Sequence, residues 1–181
     1  PAVIVLHGRG ADEQDLLPVA EALPDELATV SLRAPDPVDG GYRWYEIDAS
    51  GGLGSSQPHP EQYRRSLNLA GESIQEAVDE YGLDPDRIGL AGFSMGTMVS
   101  TGLVLEHPDT YAWLVGLHGY LPELCADLEP DGIGDTPVFF AGGDADRIIP
   151  VARVAGAARR FGELGADVTY ESYDTGHGIS G

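Results

Sequence analysis

A chain of 181 residues, 42% hydrophobic and with 25 glycines, is long enough to bury a core and too apolar to remain disordered. Its 30 acidic residues face 10 basic ones, all arginine, for a net charge of −20, which excludes nucleic acid as a partner because phosphate binding needs a basic face. No apolar run approaches the ~20 residues of a membrane span, and the single cysteine, Cys125, excludes an intrachain disulfide and fits a reducing, cytoplasmic setting.

In chain order, Pro1 to Leu6 is a continuous, largely β-branched run that predicts a strand buried on both faces. The loop His7-Gly8-Arg9-Gly10-Ala11 follows, and Asp12 stands where it would cap a helix carrying Leu16, Leu17, Val19, Ala20 and Leu23. Ala28 to Leu32 predicts a second strand. From Asp36 to Pro60 periodicity is weak and Gly, Ser and Pro abound; Tyr42, Trp44 and Tyr45 within this stretch point to a substrate-side loop. Glu61 to Tyr81 predicts an amphipathic helix stopped by Gly82. The series continues with a strand from Arg87 to Phe93, a helix from Met95 to Glu106, strands from Trp113 to Leu117 and Val138 to Ala141, a helix from Val151 to Leu164 and a strand from Asp167 to Tyr173.

Strands alternating with helices imply right-handed crossovers and an α/β fold, a mostly parallel sheet of about six or more strands with helices on both faces. Ligands of such sheets bind beyond the carboxyl ends of the strands. Arg9, Ser94, His118, Asp146 and His177 all fall at such ends.

Gly92-Phe93-Ser94-Met95-Gly96 lies between a predicted strand and a predicted helix, the context a G-x-S-x-G nucleophile elbow requires. A serine hydroxyl is a weak nucleophile and needs a base to take its proton and an acid to orient that base. The order Ser94, Asp146, His177 is the Ser…Asp…His order of α/β-hydrolases. His177 is the preferred base, with His118 as its competitor. Asp146 is preferred to Asp144 and Asp174 as the acid, because Ile148-Ile149-Pro150 can anchor its loop and Asp174 is too near His177 on one turn. The oxyanion donors are expected to be the backbone N–H groups of Met95 and Arg9, with His7 part of the same loop. A metal site from His7, His118 and His177 has no local ligand spacing, so no metal is expected.

At these residues the sequence resembles the phospholipase/carboxylesterase family of α/β-hydrolases, which includes the acyl-protein thioesterases. The resemblance runs through Leu6-His7-Gly8-Arg9-Gly10-Ala11, Arg43-Trp44-Tyr45, the elbow, Gly119-Tyr120-Leu121-Pro122, Gly143-Asp144-Ala145-Asp146 with Ile149-Pro150, and Gly176-His177. It implies a serine esterase that hydrolyses small-molecule esters or thioesters of short to medium acyl length without a cofactor. It also implies that the strand leading to Arg9 lies beside the strand leading to Ser94. The expected acyl site is shallow and is bordered by Trp44, Tyr45 and Leu121. Two departures stand out. The family commonly has serine where His118 stands, and a single hydrolase domain over 1–181 would lack early strands and the closing helix. The alternatives are a catalytically silent binding protein on this fold, or a lactone or peptide hydrolase. The acid-rich, lysine-free composition is of the halophilic type, in which salt screens surface repulsion.

Overall fold

The computed structural model describes residues 1–38 and 40–179. Its elements are β1 (Ala2–Leu6), α1 (Leu17–Ala20), β2 (Ala28–Leu32), β3 (Asp36–Val38), β4 (Gly41–Arg43), β5 (Ile47–Asp48), β6 (Gln57–Pro58) and α2 (Pro60–Tyr81). They continue as β7 (Ile88–Phe93), α3 (Met95–Glu106), β8 (Trp113–Leu117), α4 (Glu123–Ala126), β9 (Pro137–Gly143), α5 (Val151–Glu163) and β10 (Asp167–Tyr173).

Six strands form one parallel sheet in the order β10-β9-β8-β7-β1-β2. The chain builds outward from β1 to β2 on one side and from β7 to β10 on the other. The sheet therefore reverses direction of growth between β1 and β7, the switch point beside which ligands of such sheets bind. The register sets Leu6 beside Gly92, so the loop after β1 and the turn after β7 start from the same level.

Alternation along each strand sorts the core into two layers. Ala2, Ile4, Leu6, Ile88, Leu90, Leu114, Val138 and Phe140 face the main core under α2, α3 and α5. Val3 and Val5 face the other way, where Leu16 and Ala20 cover them, and Ala91, Phe93 and Trp113 pack on this smaller cluster. Helix α3 is buried along almost its whole length, because it is enclosed by the sheet and α2 and carries apolar or small residues all round.

Two segments differ from expectation. The helix predicted from Asp12 is a single turn, Leu17–Ala20, preceded by turns in which Asp12 Oδ1 accepts from the Gln14 N–H at 2.9 Å. Pro18 is the reason: lacking an N–H, it is tolerated only in a helix's first turn, so the helix cannot begin much before it. The stretch from Asp36 to Pro60 is not featureless either. It folds into two small antiparallel pairs, β3 with β4 and β5 with β6, too short for a periodic signal.

Candidate active site

The turn from β7 into α3 holds Ser94 at φ 53° and ψ −115°, a conformation that costs a non-glycine residue roughly 1–3 kcal/mol. Its surroundings over-determine it. The Ser94 N–H donates to Leu117 O at 2.8 Å, and the Thr97 hydroxyl reaches Gly92 O at 2.8 Å and Leu117 O at 2.9 Å. Glycine is required on both sides: a Cβ on Gly92 would strike the backbone of Gly96 and Thr97, and one on Gly96 would strike the carbonyl of Leu6.

From this turn Ser94 Oγ meets His177 Nε2 at 2.9 Å, and His177 Nδ1 meets Asp146 Oδ2 at 2.7 Å. Asp146 lies beyond β9 and His177 beyond β10, so the crossovers from β7 to β10 bring together residues far apart in sequence. The other oxygen, Asp146 Oδ1, accepts from the N–H groups of Ile148 (2.8 Å) and Ile149 (2.9 Å), the residues expected to anchor this loop. Burial alone would raise the Asp146 pKa, but the bonds from His177, Ile149, His118 and Ile148 outweigh it and hold the carboxyl below its ordinary range. It is therefore an acceptor-only carboxylate at neutral pH. Neither Asp144 nor Asp174 bonds His177 among the described residues.

The loop expected to supply an oxyanion donor is held from several sides. The Ala34 N–H donates to His7 Nε2 at 3.1 Å, so that nitrogen is the acceptor and Nδ1 carries the proton it gives to Gly8 O at 2.7 Å. Burial lowers the His7 pKa and keeps the ring neutral. The Trp44 indole N–H donates to His7 O at 2.9 Å, the Gly10 N–H donates to Tyr42 O and the Tyr42 N–H donates to Ala11 O, both at 2.8 Å. Gly8 lies against Phe93 and Ser94. Among the described residues, neither the Arg9 N–H nor the Met95 N–H is spent on a backbone acceptor outside the regular elements.

A substrate-side role for Trp44 and Tyr45 does not fit their burial, at 1% and 0% exposure. Trp44 secures the loop after β1, and the Tyr45 hydroxyl donates to the Met98 sulfur at 3.2 Å. An aromatic pair in a glycine-rich stretch reads as surface, whereas here the stretch folds back and drives both rings into the core. Leu121 is half-buried. A cavity of about 390 Å³ lined by Leu117, His118, Phe139, Ala141 and Tyr173 opens at the carboxyl ends of β8 to β10, but Ser94 is not in its wall.

His118 does not bond Ser94. Its Nδ1 lies 3.1 Å from Asp146 Oδ2, the oxygen that His177 also uses. His118, Asp146 and His177 also form a group whose potential metal-ligating atoms lie within 4.8 Å of one another. The facing atoms of all three are already engaged in the hydrogen bonds above.

Known proteins share this arrangement of elements. A carboxylesterase structure from Bacillus cereus superposes with a TM-score of 0.88 at 26% identity, over 99% of this chain and 82% of that one. Acyl-protein thioesterase 1 of Kluyveromyces lactis is 28% identical over 189 residues, covering 94% of this chain and 81% of the relative. NocK of Nocardia uniformis subsp. tsuyamanensis is 31% identical over 156 residues, 83% of this chain but only 41% of that longer protein. The phospholipase/carboxylesterase family profile matches residues 1–181, and because that match runs the full length of the sequence, the chain belongs to the phospholipase/carboxylesterase family.

Proposed function

We propose that the chain is a serine hydrolase of small carboxylic esters and thioesters that works through an acyl-enzyme. One observation carries this: the unbroken hydrogen-bond chain from Ser94 Oγ through His177 to Asp146, mounted on a strained strand-to-helix turn. Ser94 Oγ attacks the acyl carbonyl carbon while His177 Nε2 accepts its proton. The anionic oxygen lies between the N–H groups of Arg9 and Met95, and the positive end of α3 adds to its stabilisation. The imidazolium gives its proton to the departing alcohol or thiol. Water then attacks the acyl-enzyme, with His177 as base, and Ser94 regains its proton as the acid departs.

Acyl groups rest against a shallow surface that includes the half-buried Leu121. Each buried methylene contributes roughly 0.8 kcal/mol until that surface is filled. With p-nitrophenyl acetate, butyrate, octanoate and palmitate, kcat/KM is expected to rise from acetate through the middle of the series and to fall at palmitate. Fastest turnover of palmitate would contradict the short-to-medium reading. Among the described residues no helix is long and apolar enough to cross a membrane. The buried thiol of Cys125 fits a reducing, cytoplasmic compartment.

The charge adds a halophilic reading. Among the described residues, Arg33, Arg43, Arg65 and Arg160 pair with carboxylates and most acids have no arginine partner. Their repulsion acts over a Debye length of ~10 Å at 0.1 M salt and ~3 Å at 1 M. Thermal melts are therefore expected to shift upward as KCl rises from about 0.1 M to beyond about 1 M. A flat or falling curve would mean that local arginine pairs, which salt weakens, dominate the surface.

A further inference from the structure

We infer that His118 is a positioning residue for the triad: the second of two imidazoles that share one oxygen of Asp146, it fixes that carboxylate and, through it, His177. The inference rests on the serine hydrolase reading above. β8 ends at Leu117, and His118 follows with φ 49°, a left-handed conformation uncommon for residues other than glycine. Its N–H donates to Ala141 O at 2.8 Å, tying it to β9, and the residue is buried. This backbone directs Nδ1 to Asp146 Oδ2. A carboxylate can only accept, so Nδ1 carries the proton and His118 donates.

An ionised carboxylate has room for about four donors. Asp146 receives all of them: the Ile148 and Ile149 N–H groups on Oδ1, and the His177 and His118 Nδ1–H groups on Oδ2. Removing His118 leaves Oδ2 with one partner. Backbone bonds tie the loop carrying His177 to the turn after β9, from the Asp144 N–H to Tyr173 O at 2.8 Å and from the Ala145 N–H to Thr175 O at 3.0 Å. These fix the loop, and side chains set the ring. Phe93 lies 5.1 Å from it, centroid to centroid, and His118 meets it edge-on at 5.6 Å with an interplanar angle of 87°. Phe93 also packs on His118, at 5.6 Å. His118 thus acts on the base by two routes, the shared oxygen and the ring edge.

The two routes separate by substitution. His118→Phe keeps an aromatic ring but has no donor. His118→Asn loses the ring, keeps an N–H donor near the Nδ1 position and tolerates positive φ. With p-nitrophenyl butyrate, kcat of His118→Phe is expected to fall about ten- to a hundred-fold with KM changed less than about two-fold, since the lost bond serves the reaction and not ester binding. His118→Asn is expected to return kcat to within about five-fold of the unsubstituted chain. The downfield proton resonance of the His177–Asp146 bond should move in the first variant and return toward its original position in the second. If thermal melts show that His118→Phe does not fold, His118→Ala becomes the donor-free variant under the same criteria. Unchanged kcat in the donor-free variant, or an Asn variant as slow as it, overturns the proposal. An unsubstituted chain that neither hydrolyses esters nor reacts with a fluorophosphonate contradicts the serine hydrolase reading itself, so the two failures are told apart.

Discussion

Ser94→Ala is expected to lower kcat for ester hydrolysis by about ten-thousand-fold or more while the fold remains intact. The chemistry requires the oxygen: without Oγ there is no acyl-enzyme, and only the oxyanion donors and general binding remain to favour reaction with water. The fold does not require it. The bonds that hold the turn are the Ser94 N–H to Leu117 O, the Met98 N–H to Ser94 O and the Thr97 hydroxyl to two carbonyls, and none uses the Ser94 side chain. Alanine keeps the Cβ that the turn already accommodates. The melting temperature should therefore stay close to that of the parent. Retention of more than about a hundredth of the activity would place the nucleophile elsewhere.

Asp146→Asn is expected to cost about ten-thousand-fold in kcat through the tautomer of His177. The Ile148 and Ile149 N–H groups need an acceptor, so the amide oxygen of the new residue turns toward them and its NH2 faces both histidines. An NH2 donates to His177 Nδ1, which shifts the ring proton to Nε2, the atom that must take the proton of Ser94. Stability changes as well, and its pH dependence has a defined sign. The native Asp146 pKa is depressed, so the carboxylate stabilises the fold above the ordinary carboxylate range, and that contribution is lost as pH falls through the native value. The difference in melting temperature between parent and variant is therefore expected to be largest near neutrality and to shrink in acid. A difference that grows in acid would contradict the assignment of Asp146 as an ionised acceptor.

The inner strands were legible in the sequence because buried parallel strands are apolar runs bounded by glycine, proline or aspartate, whereas the exposed edge strand β10 showed only alternation. The elbow was legible because Gly92 and Gly96 are steric requirements of the backbone around Ser94, visible as letters. Other features depend on tertiary closure and leave no local trace. Trp44 and Tyr45 look like loop aromatics until β4, which starts at Gly41, runs against the loop after β1 and carries them inward, and Gly41 must be glycine to pass the carbonyls of Gly10 and Ala11. Periodicity from Asp12 to Leu23 overstated a helix because it takes no account of Pro18. The position of His118 at a strand end marked it as functional, but its partner depends on how β8 and the loop after β9 converge, which no spacing within the sequence encodes.

The central claim is that Ser94, activated by His177 and Asp146, is the nucleophile, and mass spectrometry of the chain after treatment with a fluorophosphonate tests it most directly. The expected result is one adduct per chain, mapped to the peptide carrying Ser94, absent in Ser94→Ala and formed much more slowly in Asp146→Asn. An unlabelled chain that nonetheless hydrolyses p-nitrophenyl butyrate, or an adduct on any other residue, would contradict it.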